Sequence, residues 1–447
     1  MKITNFLNND YRNYAAYDNT RKIGSLVDGL KISARKVMNT VLKDNINKDI
    51  KVENLMSRVA EQNEYLHGAN SLGGVIVNMA RRYVGSNNNI PLLHNEGNFG
   101  TRFINENSAT RYIYTRKEPI LDYLFIKDDF PVLIEQNFEG TKIEPRYFMP
   151  IIPLLLVNGS DGISVGFAQT ILPRNPKDVI NYLVDYLDNK QPDINKLLPY
   201  YKGFTGGISR DPECSTRFFI KGTMKRENTT SILVTELPVK YQLEQYLDIL
   251  DDLEERKIIK GFKDESTDDV YKFRIRVSRE FSEMSDDEIM LKLKLVQTES
   301  ENYTCLDENN KIFEAKDIDS LMQRYIEIRL KTYTLRKNYM LKTISEELKI
   351  LISKYTFIKN VIEDVIKINN VPINDIYAKL ENIKNIIKQD DSYEYLMNIK
   401  ASNFTKEYYT DLRNKIIKLK AEFDALKNKD EKVIWKEELL QLKAYCK

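Results

Sequence analysis

Two tyrosines set between two arginines are the residues of this chain whose types and spacing most suggest chemistry. They lie in Asn107-Ser108-Ala109-Thr110-Arg111-Tyr112-Ile113-Tyr114-Thr115-Arg116, just after the glycine-rich Gly97-Asn98-Phe99-Gly100. A phenol has a pKa near ~10, so it attacks a phosphodiester only where neighbouring positive charge favours the phenolate. An adjacent guanidinium supplies that charge and can hold the phosphate with two parallel donors. Tyr112, with Arg111 beside it, is therefore a candidate nucleophile. Alone the pattern is weak, because the chain has 27 tyrosines and an Arg-Tyr pair is commonly a packed ring next to a solvated charge. The absences narrow the field further. There is no GxxxxGK phosphate loop, no GxGxxG after a strand, no HExxH and no acidic DxD pair in a convincing setting. Two histidines in total argue against His-rich metal or triad chemistry, so no metal ligand is expected in this chain.

The framework that must carry such a tyrosine is large. At 447 residues, and with ~150 residues per domain as a guide, about three domains are expected. The composition, 42% apolar and 30% charged, is that of a soluble globular protein, and no apolar run is long enough to cross a bilayer. The N-terminus lacks a signal core, so a cytoplasmic location and no membrane partner are expected. Cys214, Cys305 and Cys446 are odd in number and far apart, which fits neither a disulfide framework nor a CxxC metal site. A net charge of +2 means that nucleic-acid affinity must come from local clusters.

From Arg21 to about Pro173, short periodic segments alternate with turns such as Gly85-Ser86-Asn87-Asn88-Asn89. Leu55, Met56, Val59 and Ala60 predict one helix; Leu72, Val75, Ile76, Met79 and Tyr83 predict a second, opening at the N-caps Asn70-Ser71. Two helices across a Gly-containing turn suggest a helix-turn-helix, whose polar face would present Asn78, Arg81 and Arg82 to a phosphate backbone. From about Arg174 to Lys311 strand-like alternation surrounds a helical stretch, Leu243 to Lys257, predicting an α/β domain. Beyond Asp317, Leu341, Ile344, Leu348, Leu351, Tyr355, Ile358, Ile362 and Val365 step by three and four. That coiled-coil seam returns with Leu412, Ile416, Leu419, Phe423 and Leu426, which predicts an antiparallel arm.

Five motifs stand in one order: Asp28-Gly29-Leu30-Lys31, Tyr65-Leu66-His67-Gly68, Gly97-Asn98-Phe99-Gly100, Ala109-Thr110-Arg111-Tyr112, and Leu155 to Gly166 (LLVNGSDGISVG). In order and spacing the chain resembles the cleavage subunits of type IIA DNA topoisomerases, the gyrase A and topoisomerase IV A family, and looks most like the medium subunit of T-even-like phage enzymes. The resemblance implies a multidomain α+β fold: an N-terminal arm (1–20), a winged-helix cleavage domain (21–155), an α/β tower (156–315), and a coiled-coil arm with a C-terminal dimer gate (316–447). It implies an isomerase that cuts both strands of DNA through a 5′-phosphotyrosine, passes a second duplex and reseals, relaxing and decatenating. Double-stranded DNA, a second copy of the chain, and a large subunit with ATPase and Toprim domains are the implied partners; that subunit would bind ATP and hold most of the Mg²⁺.

By the same resemblance Tyr112 is the nucleophile, with Arg111, Arg21, Lys31 and His67 as catalytic companions. Arg35 and Lys36 match basic positions that bind DNA, Asn70 and Ser71 open the helix where quinolone-contacting residues lie in the bacterial enzymes, and Ile171 would wedge between base pairs; Asn78, Arg81 and Arg82 on the polar helix face, with Arg102, complete the expected DNA-binding set. Tyr65, Ala34 and Ala69 depart from the gyrase pattern, which bears on quinolone sensitivity more than on cleavage. Without the resemblance, Arg21 and Lys31 are ordinary helix charges and Ile171 is core. The competing reading is a non-catalytic winged-helix and coiled-coil protein that organises DNA.

Overall fold

A computed structural model describes residues 3–446 apart from 268 and 269. It divides into two compact units, Met1–Arg329 with Trp435–Lys447, and Leu330–Ile434. Residues on both sides of the boundary expected near 155 fall within the first unit, and Trp435 onward also belongs there rather than to the arm. The reason for the latter is packing: the Trp435 indole is fully buried and donates to the Ile151 carbonyl at 2.9 Å.

In the first unit, α1 (Arg12–Lys22) and α2 (Ile32–Lys43) flank the Asp28-Gly29-Leu30-Lys31 turn. Gly29 has φ +69°, and a Cβ there would lie 2.5 Å from the Leu155 nitrogen. Only glycine fits this left-handed, crowded position, so two of the sequence motifs meet here backbone to backbone. Strand β1 (Ile50–Lys51) leads into α3 (Val52–Gln62), which buries Val52, Leu55, Met56 and Val59. This spacing of three and four keeps one apolar face on the core.

Helix α4 (Ala69–Ala80) follows, with Leu72, Ile76, Val77 and Met79 buried. It starts at Gly68 with no side-chain cap, so Asn70 and Ser71 sit in its first turn rather than capping it. It stops at Ala80 because Arg81 turns extended (φ −60°, ψ 145°), which leaves Tyr83, Arg81 and Arg82 outside the helix. Its exposed face is therefore Asn70, Ser71, Gly74 and Asn78. Strand β2 (Tyr114–Thr115) pairs antiparallel with β1.

Beyond these, β3 (Ser160–Ile163) and β4 (Ala168–Ile171) form a hairpin. Asn158 closes a short helix, with Gly159 at φ +70° after it. Among the described residues the expected α/β region has two antiparallel sheets of three or more strands. One has three strands in the order 296–300, 217–221, 207–210; the other has four, in the order 261–264, 273–276, 231–236, 223–228. The helix Leu243–Glu255 packs Tyr246, Leu250 and Leu253 into the core with Ile232, Val234, Phe273 and Ile275.

The long helix Ile318–Ile362 supplies most of the second unit, together with Lys406–Asn428. Lys337 Nζ donates to the Lys429 carbonyl at 2.7 Å, and the Tyr355 and Tyr409 rings stack 4.5 Å apart. Later residues of one helix thus meet earlier residues of the other, which is antiparallel pairing as expected. The predicted seam fails at its end, since Ile362 and Val365 are exposed. The helix ends at Ile362 and Asp364 adopts φ +58°, so the chain turns and Ile366 enters a core with Phe357, Ile376, Leu380 and Leu396.

Candidate active site

Tyr112 lies on the turn 110–112 leading into β2. The turn is pinned by backbone bonds from the start of α3: Val52 N–H donates to the Ile113 carbonyl (3.0 Å) and Glu53 N–H to the Thr110 carbonyl (3.3 Å). Ile113 is buried, so its neighbour must face outward; Tyr112 is 67% exposed. Among the described residues its hydroxyl has no hydrogen-bond partner, and Arg111 lies over its ring at 5.0 Å. An outward phenol with an unengaged oxygen and a guanidinium against its face can reach a polyanion without rearranging the core.

A second group gathers around a cavity of about 230 Å³ lined by Tyr17, Arg21, Lys36, Tyr65 and His67, among others. Tyr17 Oη and His67 Nε2 are 3.0 Å apart, and Arg21 lies over the Tyr17 ring at 5.6 Å. Burial, then the charges of Arg21 and Lys36, hold the His67 imidazole below its ordinary range, so it is neutral near pH 7. Lys31 Nζ donates to the Asp161 carbonyl at 2.6 Å; burial lowers its pKa, with the Asp161 charge opposing the shift. Among the described residues no hydrogen bond, ion pair or ring contact joins Tyr112 to Arg21, Lys31 or His67. Arg21 and His67 come together; Tyr112 with Arg111, and Lys31, each stand apart.

The expected DNA-binding set divides. Asn70, Ser71 and Asn78 are exposed on one face of α4, where a Cβ added at Gly74 would meet nothing within 4 Å. That smooth polar stripe suits close approach of a phosphate backbone. Arg82 is exposed but bound to Glu118 and His94. Arg81 donates to the Phe99 and Asn105 carbonyls.

Four of the residues expected to meet DNA have buried side chains in this structure. Arg35 grips Asp28 through two bonds of 2.7 and 3.0 Å and also reaches the Leu30 carbonyl. Arg102 bonds Glu236 at 2.6 Å and the Leu237 carbonyl. Lys36 pairs with Glu144 at 2.8 Å and the Asn63 carbonyl, although it also lines the cavity. Ile171, expected as a wedge, has no exposed surface at all and is core. Sequence patterns cannot separate a basic residue that meets DNA from one that neutralises a buried carboxylate. Tyr17 was missed, although it lies four residues before Arg21, one turn along the same helix face.

Among the described residues there is no cluster of three or more His, Cys, Asp or Glu side chains that could hold a metal ion, and no helix is long and apolar enough to cross a membrane.

Comparison with known proteins gives one consistent result. The family model that describes the A subunits of DNA gyrase and topoisomerase IV matches residues 21–440. A mitochondrial DNA topoisomerase 2 of Dictyostelium discoideum is 34% identical over 98% of this chain and 35% of its own length. DNA topoisomerase 2 of invertebrate iridescent virus 6 is 30% identical over 100% of this chain and 39% of its own. The crystal structure of the Plasmodium falciparum topoisomerase II DNA-binding, cleavage and re-ligation domain superposes with a TM-score of 0.86 at 28% identity, covering 99% of this chain and 64% of that one. The chain thus spans little more than a third of the curated relatives it matches. Closeness to a T-even-like phage subunit is not confirmed by these relatives. The match over residues 21–440 places the chain in the family of DNA gyrase and topoisomerase IV A subunits.

Proposed function

We propose that this chain is the strand-cutting and rejoining part of a type II DNA topoisomerase, with Tyr112 as nucleophile. The observation that carries the reading is an outward Tyr112, its hydroxyl unengaged and Arg111 across its ring, on a turn locked to α3 in a chain of this family. We read α3, α4 and the β1–β2 ribbon as a winged helix, the sheets beyond Arg174 as the tower, and the paired long helices as the arm that ends in the exit gate.

In the reaction, Tyr112 Oη loses its proton and attacks phosphorus. The bond to the 3′-oxygen breaks, that oxygen takes up a proton, and a 5′-phosphotyrosine remains. One phosphodiester replaces another, so the 3′-hydroxyl can reverse the step and reseal the strand without a high-energy donor. Arg111 grips the phosphate, and Arg21, Lys31 and neutral His67 supply positive charge and hydrogen bonds to the pentavalent transition state. Since Tyr112 stands apart from Arg21, Lys31 and His67, DNA binding and a second copy of the chain are what assemble the full set. Mg²⁺ and ATP, the family's cofactors, belong by this reading to Toprim and ATPase domains outside these residues, on a partner subunit. Two copies cut opposite strands, a second duplex passes, and the outcome is relaxation and decatenation.

Tyr112→Phe tests this directly. Among the described residues the hydroxyl has no hydrogen-bond partner, so stability changes by less than about 0.5 kcal/mol. Denaturing electrophoresis with labelled DNA will show covalent adducts from the natural chain and none from the variant. Adducts that survive the substitution refute the assignment; salt-sensitive binding without any adduct from the natural chain favours the non-catalytic DNA-organising reading.

A further inference from the structure

Tyr17 has no part in the chemistry described above, yet its position is tightly specified. On the neighbouring positions of α1, Asp18 and Asn19 are buried: Asp18 Oδ2 accepts from the Val165 N–H at 3.1 Å, and Asn19 Oδ1 accepts from Ser164 Oγ at 2.6 Å. These bonds fix the rotation of the helix and turn Tyr17 and Arg21 together toward the cavity. There the Tyr17 hydroxyl sits 3.0 Å from His67 Nε2, with the rings 6.5 Å apart, while Tyr65 meets the imidazole edge-on at 5.5 Å.

We propose that Tyr17 is a positioning residue for His67: its hydroxyl donates to Nε2, holds the neutral ring with its proton on Nδ1, and so makes His67 a hydrogen-bond donor to the scissile phosphate rather than a proton acceptor. The proposal rests on the assignment of His67 to the cleavage site. The surroundings agree with a neutral ring. Arg21 on α1 and Lys36 on α2 face the cavity as cations, Arg35 is committed to Asp28, and the acids nearby are Glu144, paired with Lys36, and Glu64. Cations disfavour a second proton on the imidazole, and a donor on Nε2 does the same by stabilising its lone pair. The Tyr17 ring also supports the Arg21 guanidinium from beneath, so a phenylalanine at this position keeps the arginine and removes only the bond.

The chain has only two histidines, so ¹⁵N-histidine labelling of the full chain yields two ring systems, with His94 as internal control. In the natural chain His67 will show a single neutral tautomer. In Tyr17→Phe it will show a mixture, and its titration midpoint will rise by roughly half a unit or more as the donor is lost. Cleavage assayed with magnesium and the Toprim-bearing partner will slow about three- to tenfold, as expected for one hydrogen bond, with DNA affinity unchanged. Identical tautomer and midpoint in the two chains overturn the proposal, as does an altered His67 with cleavage at the natural rate. If the natural chain forms no Tyr112 adduct, the functional reading fails by itself, and the histidine spectrum still reports whether Tyr17 sets the ring.

Discussion

Replacing Arg35 with leucine separates a framework arginine from a DNA contact. Asp28 is completely buried and accepts four hydrogen bonds: two from Arg35, one from the Leu30 N–H and one from the Phe148 N–H, each between 2.7 and 3.0 Å. Removing the guanidinium leaves a carboxylate in the core with its charge uncompensated, which costs about 3–5 kcal/mol when one partner of a buried pair is deleted. At roughly 2 °C per kcal/mol for a domain of this size, the melting temperature falls by about 6–10 °C. A phosphate contact behaves differently. Its loss leaves melting unchanged and lowers the slope of log binding constant against log salt by about 0.9. Calorimetric melting and a salt titration of DNA binding on the same protein read both quantities. A chain that melts normally and shows the reduced slope refutes the buried-pair argument and restores the sequence expectation for Arg35.

Three further outcomes follow from the geometry. In Gly162→Ala the new Cβ would lie 2.1 Å from the Lys22 carbonyl, pushing away the end of α1 that carries Arg21; destabilisation of about 1–3 kcal/mol and loss of cleavage are expected, read by melting and adduct yield. Gly74→Glu adds a negative charge to the exposed stripe of α4, where nothing lies within 4 Å, so melting should hold within about 0.5 kcal/mol while DNA affinity drops in a filter-binding titration. His67 has its folded pKa below the reference 6.5, so as pH falls the unfolded chain takes up this proton first; its stability contribution is complete above the unfolded value and is lost as pH drops through the folded one. Cleavage should therefore lose activity on that acid side and His67→Gln should flatten the limb, whereas an unchanged limb in the variant assigns it to another group.

Much of this architecture could be read from residue order alone, because it depends on local periodicity. The face of α3 with Leu55, Met56 and Val59, the seam from Leu341 to Ile358, and the antiparallel return through Leu412 and Ile416 follow from side chains recurring at the helical period. Linear motifs also singled out Tyr112 and Arg111 as candidates, and the two lie against each other because neighbours in sequence are neighbours in space on a tight turn. Positions that depend on distant partners were not legible. Arg35, Lys36 and Arg102 carry the charge expected of DNA contacts, but carboxylates up to 134 residues away, Asp28, Glu144 and Glu236, take them into the interior. Ile171, expected as a wedge from the motif it stands in, is fully buried in the fold. Tyr17 gains its meaning only from His67, 50 residues on. The chain order thus determined which residues could do the chemistry and which faces had to be buried. Tertiary packing decided which charges meet solvent, because a cation's role is set by the nearest anion in space, and that anion is seldom near in sequence.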